Sequence, residues 1–411
     1  MNVGLLGHGV VGSGVAEILL DNADIISANA NTELHLKRIL DLREFDLPYR
    51  ELFVKEAGEV TQARDIDIVV ECMGGVEPAY TFLKAALESG KHCVTSNKQL
   101  VVEKGEELID LALKNNVHFL YEASCGGGIP VLSPIQNCLG ANHILSVLGI
   151  LNGTTNYILT SMMKNGVGYR DALAKAQELG YAEKDPSADV EGHDARRKIA
   201  ILAHHAFGSK FSDEVRYPCT GISGISYDDL LYAKRLGYSV RLLGGAFRMG
   251  DGYTASVWPY MLPTAHPLSS VQDVNNAVYI KADKVNEVMF YGPGAGKLPT
   301  ASAAVSDIIE AASKPVRNTK PVESLRFVDG GAQILQYFVR VTSGNVDRAM
   351  QDISKIAAGT EYIRLEGKKN EFALITPKGT CGDLNSMIER IQKRKLTLGQ
   401  VMRYVPEENR S

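Results

Sequence analysis

Glycines at positions 7, 9 and 12 lie between an apolar run, Val3 to Leu6, and apolar residues at helical spacing, Val15, Ile18 and Leu19. In that setting of strand, turn and helix, Gly7-His8-Gly9-Val10-Val11-Gly12 reads as G-x-G-x-x-G, the turn that opens a dinucleotide-binding Rossmann-type unit. The glycines let the backbone approach a pyrophosphate, and the helix after them offers N–H groups and partial positive charge to it. The bland alternative is a glycine turn with no ligand, and the flanking strand and helix argue against it. The apolar start, with no cationic lead, reads as a first strand rather than a signal peptide.

Beyond this turn, strand-like and helical stretches alternate in the way a parallel sheet requires. A second strand, Leu36 to Leu40, ends at Asp41, where this fold places the acid that accepts a hydrogen bond from a ribose 2′-hydroxyl. Asp41 therefore argues for NAD, although Arg43 could instead meet the 2′-phosphate of NADP. Ile66 to Glu71 is a buried strand running into Gly74 and Gly75, and Pro78 to Glu88 is helical. His92 to Asn97 repeats the scheme and places Lys98 on the ligand edge of the sheet. Val117 to Tyr121 leads into Glu122-Ala-Ser-Cys125-Gly-Gly127-Gly-Ile129-Pro130. Late in the chain, Gly292-Pro-Gly294-Ala-Gly296 precedes a helical stretch from Pro299 to Ala312, which can return to cover the nucleotide.

At 411 residues the chain is too long for one core and calls for two or three domains, at roughly 150 residues each. A net charge of −4 gives no basic excess for nucleic acid; the one basic cluster, Lys393-Arg394-Lys395, reads as a solvated helix face. No run of about 18 apolar residues supports a membrane span. Six cysteines without CxxC or zinc spacing read as reduced thiols in a cytoplasmic protein.

The character changes after Ile144. Leu145 to Leu151 reads as a strand, Asn152-Gly-Thr-Thr-Asn156 comes next, and Tyr157 to Lys164 and Tyr169 to Leu179 are helical, with Gly180 at the expected stop. Residues 180–198 concentrate carboxylates and basic groups directly before an apolar helical pattern at Ala195, Ile199, Leu202 and Ala206. Taken as a surface feature, Asp194 and Lys198 are an i,i+4 pair worth about 0.3–0.5 kcal/mol. Tyr238 to Tyr291 carries several strands divided by Met-Gly-Asp-Gly and proline turns. The tail reads as βαββα: Ile334 to Thr342, Val346 to Ala357, Tyr362 to Leu365, Glu371 to Thr376 and Asp383 to Lys393. The expected fold class is α/β: a Rossmann-type parallel sheet, an α+β substrate and dimerisation domain, and a small C-terminal domain. The expected boundaries are 1–130 completed by 292–313, then 131–291, a linker at 314–330, and 331–411.

The chain resembles the homoserine dehydrogenase family. The likeness is carried by residues 4–12, Val94-Thr-Ser-Asn-Lys98, Glu122 to Pro130, Gly149-Ile-Leu-Asn-Gly-Thr-Thr-Asn156, Gly180-Tyr-Ala-Glu183, Asp189-Val-Glu-Gly-His-Asp194-Ala-Arg-Arg-Lys198 and Phe290 to Gly296. Such enzymes reduce aspartate 4-semialdehyde to L-homoserine with NAD(P)H, on the route to threonine, methionine and isoleucine. The resemblance implies Lys198 as proton donor and Lys98 as a second active-site lysine. It implies Glu183 and Asp194 as substrate contacts, with Asp189 in support. Gly9, Val10, Gly180 and a late glycine, Gly294 or Gly296, would touch the coenzyme, and Glu122, Cys125, Gly127 and Ile129 would hold sodium through mostly backbone oxygens. A homodimer or homotetramer is implied as well. Leu40 stands where the family often has Arg or Lys, which weakens binding of a 2′-phosphate. The tail resembles an ACT domain, a possible threonine sensor, but reads Thr342-Ser-Gly-Asn345 in place of the usual Asp-x-Pro-Gly.

Two other functions fit parts of the chain. Cys125 before a glycine run could serve an acylating semialdehyde dehydrogenase, although no histidine is next to it in sequence. A non-catalytic NAD sensor would have no use for the lysine and carboxylate set.

Overall fold

The computed structural model describes residues 1–316, 323–394 and 396–406. Residues 317–322 of the expected linker, Lys395 of the basic cluster and the last residues of the tail lie outside the described residues. Two compact units form: 1–144 with 200–216 and 282–324, and 145–199 with 217–281 and 325–411. The first therefore extends beyond the glycine-turn half and the late helix expected from sequence, because the helix His193–Phe207 gives its C-terminal half to it.

In the first unit, strands β1 (Asn2–Leu6), β2 (His35–Leu40), β3 (Phe53–Val54), β4 (Ile68–Glu71), β5 (His92–Thr95) and β6 (Phe119–Leu120) form one sheet in the order β3-β2-β1-β4-β5-β6. Every pairing is parallel, with Leu5 opposite Ile39 on one side and Val70 on the other. All four residues of β4 are buried, as a strand covered on both faces requires. The strand order reverses between β1 and β4, the crevice where such sheets bind ligands. The helix Val10–Asp21 packs Val15, Ala16 and Leu19 into the core, and Ala301, Ala304 and Ile308 of the late helix Lys297–Ser313 join it there. Gly14 permits that closeness, since a Cβ on it would meet the Lys297 carbonyl oxygen at 2.8 Å.

The second unit is built on a mixed sheet. β7 (Ile144–Ile150) lies between β10 (Asn275–Ala282) and β8 (Tyr238–Met249), and β8 pairs along its whole length with β9 (Gly252–Pro263) across the Gly250-Asp251 turn. Instead of standing apart, as the sequence suggests, the tail extends this sheet. Its last strand, Met402–Tyr404, runs parallel to β9 with Arg403 opposite Tyr260, and antiparallel to Tyr337–Thr342. Next come Glu371–Ile375 and Glu361–Ile363. With the helices Val346–Ser354 and Cys381–Gln392, the tail is a split βαββαβ unit of the ferredoxin type. Asn345, where the unusual first turn ends, caps the first of these helices by accepting from Arg348 N at 3.0 Å. Among the described residues no helix is long and apolar enough to cross a membrane.

Candidate active site

The glycine turn comes directly after β1. Gly7 has φ +91°, and a Cβ on Gly12 would stand 2.0 Å from the Gly7 carbonyl oxygen, so the turn closes only with glycine at both positions. Gly9 has open space around it and precedes the helix Val10–Asp21 with no side-chain cap. Val10 is 69% exposed there and Val11 is half-buried. Uncapped N–H groups beside an open glycine suit a phosphate.

His8 does not direct its ring to that opening. The imidazole is buried among Phe45, Tyr49 and Phe53, with centroids 4.7, 6.0 and 5.1 Å away. Burial lowers its pKa and keeps it neutral. Its backbone N–H instead donates to Asp41 Oδ2 at 2.9 Å. Asp41 also accepts from the Arg43 guanidinium, at 3.0 Å to Oδ1 and 2.8 Å to Oδ2, and from Arg43 N at 2.9 Å. The Arg43 guanidinium holds this carboxyl well below the usual carboxylate range. Lys55 adds a second cation, its ammonium donating to the carbonyls of residues 41, 42 and 43. The acid and the arginine that the sequence offers as rival coenzyme readers are thus bound to each other.

At the end of β4, buried Glu71 accepts from Met73 N, Gly74 N and Thr95 Oγ1, and so shapes the loop that carries Gly74 (φ +80°). Thr95 Oγ1 in turn accepts from Asn97 N, and the Asn97 amide donates to the Gly75 carbonyl. Asn97 caps the helix Lys98–Lys114 through Leu100 N. Lys98 is therefore the first residue of a helix that its polar surroundings conceal in the sequence. A cation in a first helical turn opposes the helix dipole, so helix stability does not explain it.

Glu122 is 5% exposed, and its carboxylate accepts from the backbone N–H groups of Val131, Leu132 and Ser133. Its own N–H donates to Asp307 Oδ2 at 2.8 Å, and burial pushes both carboxyls up, Asp307 strongly. These bonds fold residues 122–133 into a fixed loop. Gly127 has φ +61°, and a Cβ on it would lie 2.3 Å from the Gly294 carbonyl oxygen; Gly128 N donates to Pro293 O. Gly296, at φ +123°, starts the late helix. With the Glu122 carboxylate committed to N–H groups, the loop's remaining oxygen donors are backbone carbonyls and the hydroxyls of Ser124 and Ser133, a set a hard monovalent cation accepts. Among the described residues there is no cluster of three His, Cys, Asp or Glu side chains of metal-site geometry. Cys125 is 1% exposed and Ile129 2%, and a thiol so enclosed is poorly placed to attack a substrate.

The second unit gathers the charged residues of 180–198. β7 delivers Leu151 and Asn152 to one end of the helix Gly153–Asn165, while the His193–Phe207 helix sets Asp194 and Lys198 one turn apart. Lys198 Nζ donates to the Leu151 carbonyl at 2.8 Å and pairs with Asp194 Oδ2 at 2.8 Å. The two residues are 8% and 6% exposed, so this is not the solvated pair that spacing alone allows. Asp189 lies beside them through the amide of Asn152, and burial pushes its carboxyl up while that amide opposes the shift. Glu183 is exposed, on a loop held by Gln177 through its backbone. Gly180, at φ +74°, ends the helix Tyr169–Glu178, and nothing lies within 4 Å of a Cβ placed on it. Arg196 and Arg197 are half-buried. Sequence reasoning gives no role to Asn152 or Asp307, although Asn152 stands within the stretch Gly149 to Asn156 that carries the family likeness.

Known proteins resemble this chain over most of its length. The family description "Homoserine dehydrogenase" matches residues 130–309, and "Homoserine dehydrogenase, NAD binding domain" matches 7–122. The chain is 45% identical over 315 residues to a homoserine dehydrogenase of Bacillus subtilis, covering 75% of this chain and 72% of that one. It is 41% identical over 415 residues to the enzyme of Corynebacterium glutamicum, covering 96% and 93%. The crystal structure of a homoserine dehydrogenase from Thiobacillus denitrificans superposes with a TM-score of 0.90 at 33% identity, over 98% of each chain.

Proposed function

The chain belongs to the homoserine dehydrogenase family, NAD(P)-dependent oxidoreductases that interconvert L-homoserine and L-aspartate 4-semialdehyde, and from that premise we propose that Lys198 moves the proton of the reaction. The observation that supports this most is the buried ammonium held between the Leu151 carbonyl and Asp194. Bound coenzyme supplies or accepts the hydride at the substrate's C4. As hydride reaches the aldehyde carbon, negative charge grows on its oxygen, and a fixed ammonium stabilises that charge and then delivers its proton. In the oxidative direction the neutral amine takes the hydroxyl proton, and Asp194 stabilises the ammonium that forms. Asp194, Asp189 and Glu183 are the proposed partners of the substrate's ammonium group, and Lys98 is the proposed second active-site lysine.

The proposed coenzyme contacts are the turn from Gly7 to Gly12, with Asp41, Gly74, Lys98, Gly180, Gly294 and Gly296. NAD is the proposed preference, because Asp41 is kept ionised as an acceptor for ribose hydroxyls and Leu40 supplies no cation before it. In the direct assay, homoserine oxidation followed at 340 nm, NAD should be the more efficient coenzyme. Asp41→Ala should lower kcat/KM for NAD about 10- to 100-fold, the loss of one charge-assisted hydrogen bond or slightly more, with a smaller effect on NADP. An equal loss with both coenzymes would remove Asp41 from coenzyme selection. Failure of the wild type to oxidise homoserine with either would refute the functional reading.

Sodium is the proposed occupant of the 122–129 loop, bound through carbonyls of Glu122, Cys125, Gly127 and Ile129. Replacing choline with sodium at constant ionic strength should raise Tm, since a ligand at a hundredfold excess over Kd stabilises by about 2.7 kcal/mol. An unchanged Tm would count against the site. The βαββαβ tail is the proposed ACT-like unit, and the same 340 nm assay with threonine added tests it as a sensor. A homodimer or homotetramer, a cytoplasmic location, and a place on the route to threonine, methionine and isoleucine complete the proposal; none of the six cysteines is in a disulfide, which agrees with that location.

A further inference from the structure

Asn152 is connected in a way that its place at a helix end does not require. Its Oδ1 accepts from Thr155 N at 2.9 Å, the ordinary cap of the helix Gly153–Asn165. That bond fixes which way the amide faces. Both Nδ2 hydrogens then point away from the helix, and Nδ2 donates to Asp189 Oδ1 at 2.7 Å and to Asp194 Oδ2 at 2.9 Å. The oxygen of Asp194 that receives this bond is the one that holds Lys198. The preceding residue, Leu151, supplies the carbonyl that accepts from the same ammonium. One dipeptide at the end of β7 therefore sets two carboxylates and the lysine that come from two other segments.

We infer that Asn152 is a positioning residue for the reaction, holding Asp189 and Asp194 one amide apart so that Lys198 stays aimed at the reacting oxygen. The inference rests on the reading of Lys198 as proton carrier. Capping alone does not call for asparagine, because serine and aspartate cap about equally well and threonine somewhat less. None of those three can donate two hydrogen bonds to two carboxylates while also accepting one. Two buried acids brought together without a donor between them repel, and the first consequence would be a shifted carboxylate under the lysine.

Two variants that preserve the cap test this. Asn152→Ser removes the bridge, and Asn152→Asp keeps the shape but places an acceptor against two acids. Asn152→Ser should melt within a few degrees of wild type; Asn152→Asp, which encloses a third carboxylate, should melt lower, so its rates are compared at a temperature where it is fully folded. Both should lower kcat for homoserine oxidation about 10- to 100-fold, the penalty of a displacement on the order of 1 Å at a reacting group, with Asn152→Asp the more severe at alkaline pH. Coenzyme binding should be retained. A pH profile separates positioning from a purely structural role. Asp189 is surrounded by Asn152, Thr154, Asp194 and Lys198, and the Asn152 amide acts against the burial that raises its pKa. Without the amide that carboxyl titrates higher, so the acidic limb of kcat/KM should move to higher pH in Asn152→Ser.

A kcat within threefold of wild type in either variant, with the acidic limb in place, overturns the inference. So does a loss that only follows a lowered Tm. If instead wild type is inactive, or Lys198→Ala is active, the reading beneath the inference has failed, and the parent proteins show this before any Asn152 variant is measured.

Discussion

Lys198→Ala should retain coenzyme binding and lose homoserine oxidation by about 10²- to 10⁴-fold, the range in which a positioned acid or base contributes. The loss should appear in kcat as well as kcat/KM, because the ammonium acts on charge present only as hydride moves. The geometry supports a large effect. Nζ has its carbonyl and carboxylate partners at 2.8 Å each, and the side chain is 11% exposed, so water cannot easily take its place. Removing it also leaves Asp194 buried without its cation. A control therefore belongs with the test: Lys198→Arg keeps a cation for Asp194 but does not give up its proton, and should be as slow as the alanine variant if the proton is what matters. A mainly structural lysine would instead show near-normal turnover in the arginine variant.

The second large effect concerns stability. Arg340, on the central strand of the tail, donates to Asp229 at 2.8 Å, to Glu371 at 3.0 Å and to the Ser226 hydroxyl at 3.0 Å. Asp229 is fully buried and belongs to the capping box that starts the helix Tyr227–Arg235. Arg340→Ala leaves two carboxylates enclosed with no guanidinium between them. Breaking a buried pair from one side costs about 3–5 kcal/mol. For a unit of this size that should lower Tm by about 10 °C. The sole tryptophan gives a local reading: Trp258 Nε1 donates to the Val401 carbonyl, and the Arg403 guanidinium lies 5.4 Å over its ring. If the tail loosens from β9, tryptophan emission should shift to the red below the main transition. Calorimetry showing a change under about 1 kcal/mol would mean the carboxylates find other partners.

The parts of the fold legible in the sequence are those set by short-range geometry. A glycine spacing that closes only without Cβ atoms, at Gly7 and Gly12, is written in consecutive residues, and so are the strand ends at Asp41 and Glu71. Sheet partnership is not. Nothing near Met402 shows that its strand completes the tail and pairs with β9, because the register depends on residues far away in the chain. The helix Lys98–Lys114 is hidden for a different reason. Its start is polar and comes directly after a strand, yet Leu100, Val101, Leu108, Ile109 and Ala112 carry the helical spacing and Asn97 carries the cap.

The same division holds within the candidate site. The Asp194 and Lys198 pair is visible as spacing on one helix, but its burial is not. The second function of Asn152 depends on Asp189 and Asp194, and the environment of Glu122 depends on Asp307, 185 positions later. Asp41 and Arg43 are two residues apart and are readable as rivals for a ribose. Only their geometry joins them as a pair.

Chemical rescue tests the role of Lys198 most directly. Lys198→Ala, saturated with coenzyme and homoserine, should recover turnover in proportion to added small primary amines, and the recovered rate should follow amine basicity as proton transfer requires. An alanine variant that binds both ligands and gains nothing from any amine, or that turns over normally without one, would contradict the assignment.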